Sequence, residues 1–221
     1  MFAINHAATA LLLKRRWPDL ALTPLLLSVQ IMELLWVLLN FLGIERTTTD
    51  AVVRDVSDIH LAYMPFSHSI ATMVGAAVLA AVIGKVIGRP KLGVAFGLGI
   101  LSHLILDLIT HNGDIPLAPI ADAPRYGTYL YARLPGAAFA LELAFGILCW
   151  WVFRGNRRLL AVVILFNLAN LSLFFAEVPG PEQAFAGRPL ALVAVILAQI
   201  VVTLALVGWA ATRPRPGTRS W

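Results

Sequence analysis

The stretch "LGVAFGLGILSHLILDLIT", residues 92–110, decides the fold, because it is long and apolar enough to cross a lipid bilayer. Its ionisable side chains are those of His103 and Asp107, and His111 follows directly after it. Each of these residues is four positions from the next, so all three lie along one side of a helix. Ionisable groups inside a span are costly and usually face a cavity or other helices. The stretch therefore predicts a membrane helix with a polar site on one face.

The composition extends this interpretation to the whole chain. Of the 221 residues, 59% are hydrophobic and 13% are charged, and the mean hydropathy is +0.81. A soluble domain is closer to about 45–50% apolar and about 25% charged. We therefore expect an all-α protein, a polytopic membrane helix bundle that forms a single integral membrane domain over residues 1–221. Because the basic residues cluster at the ends of spans, the net charge of +5 indicates topology, and no nucleic-acid partner is expected.

Six segments have the length and composition of transmembrane spans, which need about 20 mostly apolar residues. They cover residues 22–44, 68–87, 92–110, 134–153, 159–176 and 190–211. A short apolar helix at residues 2–13 precedes them. At about 1.5 Å per residue it reaches only about 18 Å, against a hydrocarbon core of about 30 Å. It is expected either to lie at the interface or to insert partly and pack within the bundle.

The basic residues predict the orientation. If the six spans alternate, twelve Lys and Arg residues fall on one side and five on the other. The positive-inside rule makes the richer side cytoplasmic, and this side includes Lys14 to Arg16 and the basic tail at residues 213–221. We therefore expect an integral protein of a bacterial inner membrane, with the N-terminal basic segment and the C-terminus in the cytoplasm. The two long connections, residues 45–67 and 111–133, then lie outside.

Polar side chains on several predicted spans converge at one depth. From the rise of about 1.5 Å per residue, one layer near mid-membrane should contain His6, Glu33, His103, Asp107, Glu142, Asn167 and Asn170. His60, His68 and His111 should lie at the outer mouth of this layer. Imidazole and carboxylate together suit a divalent metal such as zinc, with manganese as an alternative. A site at this depth favours a lipid-like or amphiphilic substrate, and the bilayer itself is the other expected partner.

These residues receive the following predicted roles. His68, His103 and Asp107 are the leading candidate metal ligands, with His6 and Glu33 as further candidates. His111 or His60 would transfer the proton during catalysis. Two simpler interpretations stay open. His103 and Asp107 can form an ordinary hydrogen bond between helices, and Glu33 can be a neutral buried carboxyl group bonded to Gln30 or Trp36.

Two further expectations concern local structure. Ser67 is expected to cap the helix that follows Pro65, which would place His68 in the first helical turn. The small residues Gly93, Gly97 and Gly99 are expected to let helices approach closely.

Three features of the chain occur in a fixed order: an early His6, the segment "FSHS" at residues 66–69, and the segment "SHLILDLITHNG" at residues 102–113. In these features the chain resembles the YdjM-like inner-membrane proteins, which are predicted membrane-bound, metal-dependent hydrolases. In that family a His near the N-terminus, a Pro-Asp-x-Asp segment, a His-Ser pair and a His-x-x-x-Asp-x-x-Thr segment recur in this order. The resemblance implies that the last two elements correspond to His68 with Ser69, and to His103 with Asp107 and Thr110.

The chain departs from the pattern at residues 30–33, where a single Glu33 stands in place of two aspartates. This removes one carboxylate and argues against a centre with two metals. The resemblance implies hydrolysis of an ester or phosphoester by a metal-dependent site that opens outward. Two other functions fit the same residues: a proton- or metal-coupled transporter, and a non-catalytic membrane protein. The oligomeric state is left open.

Overall fold

The structure is a computed structural model that describes residues 1–212, so the basic tail at residues 213–221 lies outside the described residues. The described chain is mostly helical, with 66% helix and 6% strand. The helices are α1 (Ala3–Arg16), α2 (Leu22–Ser28), α3 (Ile31–Phe41), α4 (Ile70–Val86), α5 (Pro90–Thr110), α6 (Leu130–Arg133), α7 (Pro135–Phe153), α8 (Arg157–Ala169) and α9 (Pro189–Thr212). Short 3-10 turns cover Val56–Asp58, Leu171–Leu173 and Pro181–Phe185.

Helix α1 lies at the centre of the bundle. It contacts α2, α5, α7, α8 and α9, and all its residues from Ile4 to Leu11 are buried. Small side chains such as Ala7 and Ala10 let the surrounding helices approach it closely. Of the two positions expected for residues 2–13, the structure therefore shows the one inside the bundle.

Proline marks the start of the three longest helices. Pro90, Pro135 and Pro189 are the first residues of α5, α7 and α9, where a missing backbone N–H costs nothing.

The prediction for α4 was wrong in one detail. Ser69, not Ser67, caps this helix by accepting a hydrogen bond from the backbone N–H of Thr72 at 3.2 Å. His68 therefore lies just before the helix instead of in its first turn.

Within the described residues, three helices are long and apolar enough to cross a membrane: Pro90–Thr110, Pro135–Phe153 and Pro189–Ala211. They correspond to three of the six predicted spans. The predicted span at residues 22–44 is divided into α2 and α3, which meet at an angle of 53° and make a fourth span if they cross together.

The two remaining predicted spans are shorter in the structure than in the prediction. Helix α4 covers 17 residues. Helix α8 covers 13 residues and ends before Asn170, where a 3-10 turn begins. The side chain of Asn170 donates to the carbonyl of Phe166 at 2.7 Å and so bonds to the last turn of α8. Three or four candidate spans are therefore established by length and composition.

The two long connections contain short strands, which the all-α prediction did not include. Strands β1 (Arg46–Thr49) and β2 (Ile59–Tyr63) pair antiparallel, as do β3 (Ile115–Pro116) and β4 (Arg125–Tyr126). These hairpins satisfy backbone groups that would otherwise be unpaired in the connections. They lie at the end of the bundle where α5 finishes.

Glycines bring α4 and α5 into close contact. A Cβ atom at Gly97 would lie 2.6 Å from the carbonyl oxygen of Ala77, and one at Gly93 would lie 2.7 Å from that of Ala80. A third glycine, Gly99, leaves room for the side chain of Ser28. Since the obstructing atoms of α4 belong to its backbone, a side chain at these positions would force the helices apart.

We expect Gly97→Ala to lower the free energy of unfolding by about 1–3 kcal/mol, because the added methyl group overlaps the backbone of α4. Gly75→Ala is the matched control, since Gly75 is also a helical glycine but has no atom within 4 Å of its Cβ position. The measurement is thermal unfolding of the detergent-purified protein. Equal midpoints for the two variants would contradict the packing described here.

Candidate metal centre

Residues from four separate parts of the chain meet around Asp107. Helix α1 contributes His6, helix α3 contributes Glu33, the segment before α4 contributes His68, and α5 contributes His103 together with Asp107. His6, His103 and Asp107 are completely buried, and His68 is 1% exposed. One polar group thus forms inside the bundle. It contains four of the seven residues expected in the polar layer, together with His68, which was expected at the mouth of that layer.

The carboxylate of Asp107 is the centre of this group. Its Oδ1 atom lies 3.1 Å from Nε2 of His6 and 3.6 Å from Nε2 of His111, and it accepts a hydrogen bond from the N-terminal ammonium of Met1 at 2.6 Å. Its Oδ2 atom lies 3.0 Å from Nε2 of His103. The rings of His6 and His103 stack with centroids 3.9 Å apart. Both faces of the carboxylate are therefore lined with imidazole.

Glu33 and His68 complete the group on the side of α3. The Oε1 atom of Glu33 lies 3.7 Å from Nε2 of His68 and 3.9 Å from Nε2 of His103. Glu33 lies in the first turn of α3, so the break between α2 and α3 places its carboxylate toward the group. Neither of the two simple partners expected for Glu33 bonds to it within the described chain. The side-chain amide of Gln30 donates to the carbonyl of Ala3 at 2.7 Å, and the indole N–H of Trp36 makes no hydrogen bond to any described residue.

Backbone and side-chain partners orient the ring of His103. Its Nδ1 atom lies 2.8 Å from the carbonyl oxygen of Val29, at the break between α2 and α3. A carbonyl only accepts hydrogen bonds, so Nδ1 carries a proton and Nε2 is the ring atom that faces the carboxylate of Asp107. Two electron-rich atoms 3.0 Å apart require a proton or a cation between them.

His68 is oriented in the same way by a chain of two further residues. The hydroxyl of Ser67 donates to Oε2 of Glu45 at 2.6 Å, and its oxygen lies 2.7 Å from Nδ1 of His68. Because the single hydroxyl proton is directed to Glu45, the oxygen accepts from Nδ1–H, and Nε2 of His68 is the ring atom that faces Glu33. Glu45 is held in place by the backbone N–H groups of Phe66 and Ser67. Such outer hydrogen bonds commonly orient histidine ligands of metals.

The residues fit a divalent metal ion. Ligand atoms of His6, Glu33, His103 and Asp107 all lie within 4.8 Å of one another. Several buried atoms in the group make no hydrogen bond of good geometry to any described residue: both ring nitrogens of His6, Nε2 of His103 and Oδ2 of Asp107. Unpartnered buried polar atoms are costly, and a bound cation would satisfy them together. Imidazole and carboxylate ligands are typical of zinc and manganese sites.

A second polar network lies beside the group and supports α1. The buried carboxylate of Glu142 accepts from the side-chain amide of Asn5 at 2.6 Å and from the phenol of Tyr131. Asn5 also donates to the side chain of Asn167 at 3.0 Å. Burial, followed by the charge of Glu142, raises the pKa of Tyr131 well above its ordinary value, so the phenol keeps its proton. Glu142 and Asn167 thus fix the helix that carries His6, and they lie outside the metal group.

The two histidines predicted to transfer protons lie in different places. His111 caps α5, and its Nδ1 atom lies 3.5 Å from Oδ1 of Asp114. Burial lowers the pKa of His111, but the nearby carboxylates of Asp107 and Asp114 outweigh it, and the pKa is raised. His60 lies on strand β2, is half exposed, and contacts Asp50 at 2.9 Å. The contacts described for His60 do not join it to Asp107.

Fold and site together define an integral membrane protein with a buried His/Asp/Glu group that can hold a metal ion. The chain belongs to the YdjM inner membrane protein family, whose pattern it matches over residues 60–179. This range includes His68, His103, Asp107 and His111, and it confirms the resemblance carried by the sequence motifs. Comparison with curated proteins and with solved structures gave no match.

The sequence did not predict that Glu45, Ser67 and the carbonyl of Val29 orient the histidines of the group. A backbone carbonyl cannot be recognised from the residue pattern. Glu45 is a carboxylate directly after an apolar segment, which is a weak indication of a buried role, but its partner Ser67 is 22 residues away. Only the fold of the β1–β2 connection brings the two together.

We expect Ser67→Ala to weaken metal binding about 10- to 100-fold, because Nε2 of His68 would no longer be fixed toward the group. Ser102→Ala is the matched control. Ser102 also precedes a histidine of the group, but its hydroxyl donates to the carbonyl of Gly99 at 2.7 Å. The measurement is competition with a chelator of known affinity. Equal metal affinity in the Ser67 variant and wild-type protein would exclude the proposed orienting role.

Proposed function

We propose that this protein is a membrane-embedded, metal-dependent hydrolase that acts on an ester or phosphoester of a lipid-like substrate. The observation that supports it best is the compact set of ligand atoms on His6, Glu33, His103 and Asp107, which all lie within 4.8 Å of one another. The facing imidazole and carboxylate atoms need a proton or a cation between them, and one divalent ion would serve all of them together. Membership of an inner-membrane family and the apolar helices agree with a substrate that comes from the bilayer.

The proposed ligands are His6, Glu33, His68, His103 and Asp107, with zinc as the preferred ion and manganese as the alternative. When bound, such an ion supplies a Lewis acid that polarises an ester and lowers the pKa of water. Asp107 holds the group together, since its two oxygens face imidazoles on opposite sides.

His111 is the proposed proton carrier, in preference to His60. It lies at the edge of the metal group with 15% of its side chain exposed, so it is reachable from both the site and solvent. It can take a proton at Nε2, and the carboxylate of Asp114 opposite Nδ1 stabilises the charged ring. His60 bonds to Asp50 in the outer hairpin and has no comparable position.

Purified wild-type protein should bind about one zinc ion per chain, whereas His103→Ala and Asp107→Ala should each retain less than about half of that amount, because each removes a ligand from a compact group. His60→Ala serves as the control and should keep wild-type metal content. Elemental analysis of the detergent-purified proteins gives the answer. Wild-type metal content in both site variants would refute the ligand assignment.

The reaction is tested by release of product from phospholipid in mixed micelles. Hydrolysis should stop after chelation and return when zinc is added. The His103 variant should lose activity by a factor of about 100 or more, since the metal contribution is lost. Hydrolysis that is unaffected by chelation would contradict a metal-dependent reaction.

A metal-ion carrier is a second candidate, which the break between α2 and α3 favours. Broken helices often place free backbone carbonyls and polar side chains at an ion site in transporters. Here the break presents the carbonyl of Val29 to His103 and places Glu33 in the first turn of α3. Metal flux into liposomes without turnover of lipid would favour the carrier over the hydrolase.

We also propose the full topology predicted from the sequence: six spans in one domain, with α4 and α8 as the two short ones. The N-terminal basic segment and the C-terminus would be cytoplasmic, and the metal group would open to the extracytoplasmic side. The clustering of Lys and Arg at alternate connections supports this orientation.

Single-cysteine variants test this orientation in intact cells. The one native cysteine, Cys149, is buried and gives little background. Ala121→Cys, in the connection after α5, should react with an impermeant maleimide added outside. Arg89→Cys, between α4 and α5, should react only after the membrane is opened. External labelling of Arg89→Cys but not of Ala121→Cys would show that the orientation is opposite to the one proposed.

A further inference from the structure

A cavity of about 690 Å³ lies next to the metal group. One part of its wall is formed by Glu33, His68 and His111, so the cavity leads directly to the candidate metal ligands. Its volume is in the range of about 300–1,000 Å³ that is common for small-molecule sites. A ligand in this cavity would therefore meet the site where hydrolysis is proposed.

Another part of the lining is apolar and exposed at the surface of the bundle. Leu165 on α8 and Val195 and Val202 on α9 line the cavity, and they are 63%, 45% and 47% exposed. Helix α9 is one of the candidate membrane spans, so these exposed side chains face the hydrocarbon region of the bilayer. A hydrocarbon chain can thus extend from the cavity into the membrane between α8 and α9.

Most charged groups that line the cavity are paired with one another. The lining includes the carboxylates of Glu33, Asp114 and Glu182, the imidazoles of His68 and His111, and Met1 with its N-terminal ammonium, and no Lys or Arg occurs among the described residues that line it. Glu33 belongs to the metal group, and Asp114 contacts His111. Met1 and His111 already contact Asp107 and Asp114, so a headgroup that carries a positive charge would find its counter-charge at Glu182.

Among these three carboxylates, that of Glu182 has no charged partner in residues 1–212. It lies on the 3-10 turn Pro181–Phe185 and is only 4% exposed. Its Oε2 atom accepts a hydrogen bond from the hydroxyl of Ser172 at 3.0 Å, whereas its buried Oε1 atom has no hydrogen-bond partner among the described residues. Burial of an unsatisfied carboxylate is costly, so a donor supplied by a ligand would stabilise it.

We propose that Glu182 binds the ammonium group of an amine-bearing phospholipid. The hydrocarbon part of this lipid lies between α8 and α9, and its ester or phosphoester faces the metal group. The inference rests on the proposed function for the identity of the reacting bond. The binding of the amine depends only on the cavity and on Glu182.

Lipid binding by the full-length, detergent-purified protein tests the inference. The probes are phosphatidylethanolamine and phosphatidylglycerol with identical acyl chains, with affinities measured by titration in native mass spectrometry. Wild-type protein should bind the ethanolamine lipid at least about tenfold more tightly, because a charge-assisted hydrogen bond at a buried carboxylate has roughly that effect. Glu182→Gln should lose this preference while its affinity for phosphatidylglycerol does not fall. The matched control is Glu177→Gln, a change to an exposed acid before the same turn, which should keep the preference.

A change to the lipid gives a second test that needs no variant. Acetylation of the ethanolamine nitrogen removes the positive charge, so N-acetyl phosphatidylethanolamine should bind wild-type protein no more tightly than phosphatidylglycerol. Equal affinity of wild-type protein for the amine and the acetylated lipid would overturn the inference, as would an undiminished preference in folded Glu182→Gln.

Binding and turnover can fail separately. An amine preference without hydrolysis of either lipid would reject the proposed hydrolase and support the binding site. Metal-dependent hydrolysis with no amine preference in binding would support the hydrolase and reject the amine-binding site at Glu182.

Discussion

A carboxylate buried inside a membrane helix is the constraint on which the rest of this structure depends. Asp107 is fully buried on α5, and an isolated charge at this depth would be very unfavourable. The bundle compensates by bringing His6, His103 and the N-terminal ammonium of Met1 to its two oxygens. These contacts explain why α1, although too short to span a bilayer by itself, occupies the centre of the bundle. They also explain why Glu142 and Asn167 form a separate network that holds α1 in position.

The contacts that compensate the charge of Asp107 also make the site suited to binding a cation. Protonated imidazoles alone would neutralise Asp107, but Nδ1 of His6 would still have no partner among the described residues. In addition, the Val29 carbonyl and the Ser67–Glu45 pair bind the far side of His103 and His68 and direct the near nitrogens toward the carboxylates. An arrangement that orients two histidines in this way is better suited to holding a cation than to simple packing. The adjacent cavity then offers a place for a lipid headgroup beside that cation.

Much of the site could be predicted from the sequence, because helical spacing alone places His103 and Asp107 on one face and the depth estimate brings His6 to the same layer. The family resemblance rested on the same residues and was confirmed. Chain reversals and helix breaks could not be predicted from helical spacing and depth, because both assume continuous helices. A continuous apolar run at residues 22–44 gave no sign of the 53° bend that places Glu33, and α8 ended earlier than hydropathy indicated. Glu182 and Glu45 were missed because each acquires its role from a partner brought near by a loop.

The central claim is that one ion is held jointly by residues of separate helices around Asp107. X-ray absorption at the zinc edge, recorded on zinc-loaded protein, tests it most directly. Zinc should show a first shell of about two or three imidazole nitrogens with the remainder oxygen, at about 2.0–2.2 Å. The His103→Ala variant, loaded in the same way, should lose one imidazole from that shell. A first shell of water oxygens alone, identical in the wild-type protein and the variant, would contradict the account.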